Sequence, residues 1–392
     1  MTLSHPDKRP SRVLPVLGLM ALILVWSLDL GSIQPNRIVP GTGYGLFSAV
    51  GLSGAAVVTL FLLAVVALAI LSVRRRSLML SLGLVLALAA LPLLLIRFTG
   101  LHLPADAPYA RSAIGAGFWA LLFLLVLMLI EVLGRRGSGR WSQLAVLGLI
   151  LGAWGWLFSR PALSSLSLVR EFDNRPDQFV QALWAHLGLA LGAVAISFVL
   201  AFALALKMMR NERWRRPVMS LASFLQTIPS LALFGLLIAP LSALSSALPW
   251  LQELGVRGIG WAPALLALIA YSLLPMVRNT YVALTEVPGS VLEAGQGMGM
   301  NPRQLFLQVR LPLALPVIVE GVRITTIQAM GLTAVAALVG AGGFGTFIFQ
   351  GLGQAAMDLV LLGALPTIAL ALAADAMLSA LAAALQARPV PA

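Results

Sequence analysis

Few side chains in this chain could do chemistry on a substrate. There is no cysteine, which removes disulfides, thiolate nucleophiles and cysteine metal sites. The three histidines, His5, His102 and His186, are too scattered for a metal site, and each is read as a solvated or packed side chain. A phosphate-binding loop needs a glycine-rich turn ending in lysine, yet the only lysines are Lys8 and Lys207, neither in such a setting. The chain is therefore not a conventional ATPase. A His-Glu-x-x-His helix and a Gly-x-Ser-x-Gly elbow are also missing, which weighs against a membrane enzyme. No catalytic residue, metal ligand or bound cofactor is expected.

The acids and bases inside apolar stretches, Glu131, Arg278, Glu320, Arg323 and Asp375, fall towards the ends of those stretches. A proton-driven carrier would bury such groups near mid-membrane. Glu320 and Arg323 lie three apart on one helix face, which predicts a local ion pair. Its functional reading is support for the loop that ends at Pro312.

That loop, residues 286–312, is the most informative segment. Ser290 and Glu293 have capping-box spacing and predict a short helix starting at the serine. Ala294, Gly295, Gly297 and Gly299 leave little bulk, so a partner surface could approach the backbone, and Gly299 is placed to end the helix with positive φ. Asn301 and Pro302 read as an N-cap and first helical residue of a second short helix, Arg303 to Val309. Met298 and Met300 offer adaptable apolar contact. These local signals alone leave two readings open: a plain connection between two spans, or a contact surface for another subunit.

The positioning elements follow from composition. Hydrophobic residues make up 60% of the 392 and charged residues only 10%, beyond soluble-domain averages. A bilayer core takes about 20 apolar residues per helix with every backbone group satisfied internally. This predicts an all-α polytopic membrane protein with ten spans: 13–30, 47–73, 77–96, 113–133, 142–158, 180–206, 217–240, 262–284, 313–339 and 357–384. The first span lacks a small-residue cleavage pattern and is read as uncleaved.

With both termini placed in the cytoplasm, most of the 26 lysines and arginines fall on the inner side, including Lys8, Arg9, Arg12, Arg74 to Arg76, and the group Lys207, Arg210, Arg213, Arg215 and Arg216. The formal charge of +12 thus reports orientation and contact with anionic lipid rather than nucleic acid. Trp141, Trp214, Trp250 and Trp261 read as aromatic-belt anchors. The polar stretch 160–178 predicts a boundary between an accessory region, 1–177, with five spans and an outer linker, and a second membrane domain, 178–385. No repeat links the halves, so an inverted-repeat carrier is not indicated. Gly340, Gly342, Gly343 and Gly345 follow span nine on the outer side and permit either a re-entrant gate turn or a plain loop.

The order Glu293, Ala294, Gly295, three residues, Gly299, nine residues, Val309, one residue, Leu311 and Pro312 resembles the signature loop of ABC importer permeases. Gly295 stands where that family usually has a second alanine, and Val309 where isoleucine is common. The resemblance implies a type I permease core over residues 178–385 whose loop docks on a separate ATP-binding subunit and passes its closure to the membrane helices. ATP and magnesium would be held by that partner, and a substrate-binding protein and a second permease, identical or paralogous, would complete the assembly in the inner membrane. The runs Leu225 to Leu233, Tyr271 to Tyr281 and Gly340 to Gly345 resemble permeases for glycine betaine, choline and carnitine. They imply a quaternary-amine osmoprotectant as cargo, with another small solute such as an amino acid as the alternative. Such a cation is recognised through aromatic faces, mainly on the binding protein. Within this chain Tyr271 and Phe224 are candidate pathway contacts, with packing as the competing reading.

Overall fold

The computed structural model describes residues 12–37, 39, 41–70, 74–104, 107, 109–137 and 140–386. Lys8, Arg9 and His5, named above, lie outside them. The chain divides into two compact units, Met1–Asn174 and Arg175–Ala392.

In the first unit α1 (Val13–Ser27) is followed by β1 (Gly31–Gln34), β2 (Thr42–Tyr44), α2 (Leu46–Ile70), α3 (Arg74–Ala90), α4 (Pro92–His102), β3 (Arg111–Ile114), α5 (Ala116–Arg135), α6 (Arg140–Phe158) and α7 (Ser167–Asp173). α1 packs on α2 and α5, and α3 on α5 and α6. A Cβ at Gly18 would meet Val66 Cγ2 at 2.6 Å, so α1 and α2 touch through bare backbone. Leu62, Leu84, Phe118 and Met128 are fully buried in the shared core.

The fold is mostly helical, as expected, and three short strands add to it. They form a small antiparallel sheet in the order β2-β1-β3, with Ser32 opposite Gly43 and Ala113. The connections between α1 and α2, α4 and α5, and α6 and α7 thus close one end of the bundle, and a parallel bridge from Ser112 to Leu166 ties in the last of them. Under the sheet Glu171, 2% exposed, accepts Arg111 Nη1 at 3.0 Å and lies 3.0 Å from Arg37 Nε. This pairing holds a carboxylate in a buried place that water alone would otherwise favour leaving. His102 is packed as expected: its ring lies 4.4 Å from that of Tyr44, and Nε2 is 2.7 Å from the Ser48 carbonyl.

Two breaks interrupt the helices of this unit, and each is repaired by a side chain. Gly51, at φ +73°, kinks α2; Arg97 Nε donates to the Val50 carbonyl there at 2.5 Å and Nη2 to Ser53 Oγ at 2.9 Å. Pro92 cannot donate to the carbonyl four residues back. That carbonyl, of Leu88, accepts Trp154 Nε1 at 2.7 Å.

The second unit begins with α8 (Pro176–Arg210) and continues through α9 (Arg215–Thr227), α10 (Ser230–Ala247), α11 (Pro249–Glu253), α12 (Trp261–Thr285), α13 (Gly289–Gly297), α14 (Pro302–Gln304), α15 (Leu311–Ala336), α16 (Gly345–Gly353) and α17 (Met357–Gln386). α8 runs along α12, α12 along α15, and α15 along α17. Ala190, Ala193 and Ala201 of α8 and Ala264 and Ala267 of α12 are all fully buried, the small-residue contact by which membrane helices approach closely.

Among the described residues eight helical runs are long and apolar enough to cross a membrane, and Val13–Ser27 and Ser142–Phe158 are shorter apolar helices. Three predicted spans change shape. The third extends to His102 through Pro92. Span 217–240 is broken: α9 stops at Thr227, Ile228 is extended (φ −71°, ψ 127°), and α10 starts after Pro229. The cause is Pro229, which disfavours helical backbone at the preceding residue. The ninth span is one run, Pro302–Val339, that begins inside the loop.

Candidate functional site

α13 begins directly after Pro288, which occupies the N-cap position, so Ser290 is already inside the helix and no side chain caps it. The predicted Ser290 to Glu293 capping box is therefore not formed: proline fixes φ and starts the helix two residues early. The other end is as the residues foretell. Gly299 has φ +84°, its N–H donates to the Gln296 carbonyl at 2.9 Å, and Met300 N–H donates to the Gly295 carbonyl at 3.2 Å. This pair of bonds is a Schellman motif, in which the left-handed residue is best a glycine.

Asn301 then caps the next turn. Its side chain accepts Gln304 N–H and its own N–H donates to Gln304 Oε1, both at 2.9 Å, a complete capping box that the asparagine and proline signalled only in part. The helix that follows is not separate. Residues 305–310 widen into a π turn and pass straight into α15, where Pro312 and Pro316 withhold two helical donors.

Gly295 is buried where α13 crosses the π turn; a Cβ there would lie 2.6 Å from Leu305 Cδ1 and 4.0 Å from Val309 Cγ2. Leu292, Phe306 and Leu311 root the loop in a cluster of Ala205, Leu284, Val287, Ala314 and Ile318 at the ends of α8, α12 and α15. The structure thus brings Gly295, Val309 and Leu311 to the inner side. Glu293, Ala294, Gly299 and Pro312 are exposed, and Met298, 74% exposed, stands at the tip. The loop is a packed two-helix insert whose outward edge is small, flexible or acidic. A surface pressed against it would push on three spans at once.

At the opposite end of α15, Gly340, Gly342 and Gly343 all have φ near +80°. Gly345 packs so closely that a Cβ would stand 1.8 Å from the Ala334 carbonyl oxygen. The turn leads into α16 and lies against α8: Phe344 is fully buried, with its ring 5.1 Å from Phe179 and 5.5 Å from His186. His186 in turn sits 3.1 Å from the Met330 carbonyl through Nε2. The glycines thus make a packed turn and short helix rather than an open loop.

Tyr271 is buried, and its hydroxyl donates to the Ile228 carbonyl. Phe224 is exposed on α9. The Glu320 to Arg323 pair forms at 2.7 Å, and Arg323 also reaches Asp375 of α17 at 2.5 Å. Asp375 as a partner went unseen because nothing local links positions 52 apart.

The family described as "Binding-protein-dependent transport system inner membrane component" matches residues 193–387, and that described as "ABC transporter permease YehY, N-terminal domain" matches residues 9–169. The carnitine transport permease protein OpuCB of Listeria monocytogenes is 34% identical over 209 residues, 53% of this chain and 88% of that protein. The osmoprotectant import permease protein OsmW of Salmonella typhimurium is 38% identical over 193 residues, 49% of this chain and 85% of that one. The choline transport system permease protein OpuBB of Bacillus subtilis is 32% identical over 212 residues, 54% and 90%. Together with the loop and the membrane helices that root it, these matches establish that the chain belongs to the binding-protein-dependent transport system inner membrane component family, the permeases of ABC importers.

Proposed function

We propose that this chain is the membrane pathway of an ATP-driven importer for a quaternary-amine osmoprotectant such as glycine betaine, carnitine or choline. The observation that carries the cargo class is the set of relatives named for carnitine, osmoprotectant and choline transport, each matched over 85% or more of its own length.

In this reading separate ATP-binding subunits seat the exposed edge of Glu293, Ala294 and Gly299, and hold the ATP and magnesium. Their closure pushes α13 against the π turn, and through Leu292, Phe306 and Leu311 moves the inner ends of α8, α12 and α15. The turn from Gly340 to Gly345 is the outer gate, because its left-handed glycines join the moving α15 to α16. A substrate-binding protein delivers cargo from outside, and a second permease, identical or paralogous, completes the pathway. Residues 1–177 act as an accessory membrane region and 178–385 as the transport core, in the inner membrane with both termini in the cytoplasm.

The test is uptake of labelled glycine betaine in cells lacking other betaine carriers, expressing this chain with its cognate ATPase and binding protein. Gly299→Asp, which puts bulk and charge at the docking edge, is expected to abolish uptake at normal membrane levels. Normal uptake by that variant would overturn the docking role. No uptake from an assembled, hydrolysing wild-type complex would overturn the cargo.

A further inference from the structure

Two breaks in neighbouring helices of the second unit repair one another. Pro275 lies inside α12 and has no N–H, so the carbonyl four residues back, that of Tyr271, loses its helical donor. The break at Ile228 and Pro229 takes the Ile228 carbonyl out of its own helical ladder. In hydrocarbon no water is present to satisfy either oxygen, and each bare group costs several kcal/mol. The structure satisfies both crosswise. Gln226 Nε2, from the end of α9, donates to the Tyr271 carbonyl at 2.8 Å, and the Tyr271 hydroxyl donates to the Ile228 carbonyl.

The depth of this pair matters. Tyr271 is ten residues in from Trp261, the first residue of the 25-residue α12, or about 15 Å along the axis. That is near the middle of a hydrocarbon core of roughly 30 Å. The inner end of the same helix runs directly into residues 286–312. The break separates the 13-residue α9 from α10, which at 18 residues is itself long and apolar enough to cross a membrane. Parting the pair would strip two carbonyls in the apolar interior together, so motion is cheapest about it and not across it.

We propose that Gln226 and Tyr271 are positioning residues for transport. Their crossed hydrogen bonds form a fixed mid-membrane pivot joining the broken α9–α10 span to the helix that carries the coupling loop. This rests on the importer reading but on no particular cargo.

The test has two arms, both on the full chain. In the first, thermal unfolding in nanodiscs compares wild type, Gln226→Met, Pro275→Ala and the double variant. Gln226→Met is expected to lower the midpoint by roughly 5 °C. Pro275→Ala returns an N–H to the Tyr271 carbonyl, so the double variant should recover most of that loss. Additive losses would overturn the assignment of Gln226 to the freed carbonyl. In the second arm, the complex reconstituted with its ATPase and binding protein is assayed for stimulation of ATP hydrolysis by the binding protein, a signal that crosses the membrane whatever the cargo. Tyr271→Phe and Gln226→Met should each cut the ratio of stimulated to basal hydrolysis several-fold at equal assembly. Wild-type ratios in both variants would overturn the pivot and leave the pair purely structural. A wild-type complex showing no stimulation would instead overturn the importer reading.

Discussion

Both units contain helices broken inside the membrane, but they mend them differently. In the first unit the repairs run one way: Arg97 of α4 serves the break in α2, and Trp154 of α6 serves the carbonyl freed by Pro92. Neither donor asks anything of the helix it mends. In the second unit Gln226 and Tyr271 serve each other's helices, and prolines lie inside α10, α12, α15 and α17. One-way repairs fasten a helix to a frame, whereas a reciprocal repair makes two helices a single joint. The first unit adds a sheet and a buried ion cluster at one of its ends, whereas the second unit has left-handed glycines after α15. Polarity is thus used to fix the first unit and to articulate the second.

That contrast is open to attack at several points. The largest effect is expected from Glu171→Ala, which leaves the Arg37 and Arg111 charges beneath the sheet without their carboxylate and should cost about 3 kcal/mol of unfolding free energy, read by thermal unfolding in nanodiscs. Unchanged stability would remove the ion cluster from the frame of the first unit. Arg97→Met should cost about 2 kcal/mol by baring the Val50 carbonyl at the Gly51 kink. Trp154→Phe keeps an aromatic ring but withholds the donor from Leu88, for a loss of about 1 kcal/mol. For both variants uptake per folded molecule should stay at the wild-type level; a coupling defect would mean that the first unit also articulates. The smallest stability effect sharpens the other side: Asn301→Ala removes the capping box for about 1 kcal/mol or less, yet should lower binding-protein-stimulated ATP hydrolysis more than either of the preceding two variants.

The loop of residues 286–312 was legible because its signals are local. Gly299 and Asn301 act on their own backbone, and their types and spacing announce a helix end and a helix start. The Ser290 cap failed because Pro288 made a competing start two residues earlier. The sheet stayed hidden because strands of four residues or fewer, such as Gly31–Gln34 and Thr42–Tyr44, are too short to show a period of two. The break in span 217–240 was written in Pro229, but the apolar window around it outweighed one residue. Partners set by tertiary packing, Asp375 for Arg323 and Gln226 for Tyr271, leave no trace in the linear order. The membrane class and the family were open to reading; the joints within the spans were not.

Gly295 has only 2.6 Å between its missing Cβ and the tip of Leu305. Any side chain added at 295 must displace Leu305, so positions 295 and 305 form one unit of exchange. A loop carrying a larger residue at 295 would have to bring its own residue 305, and one without it would hold its two helices splayed.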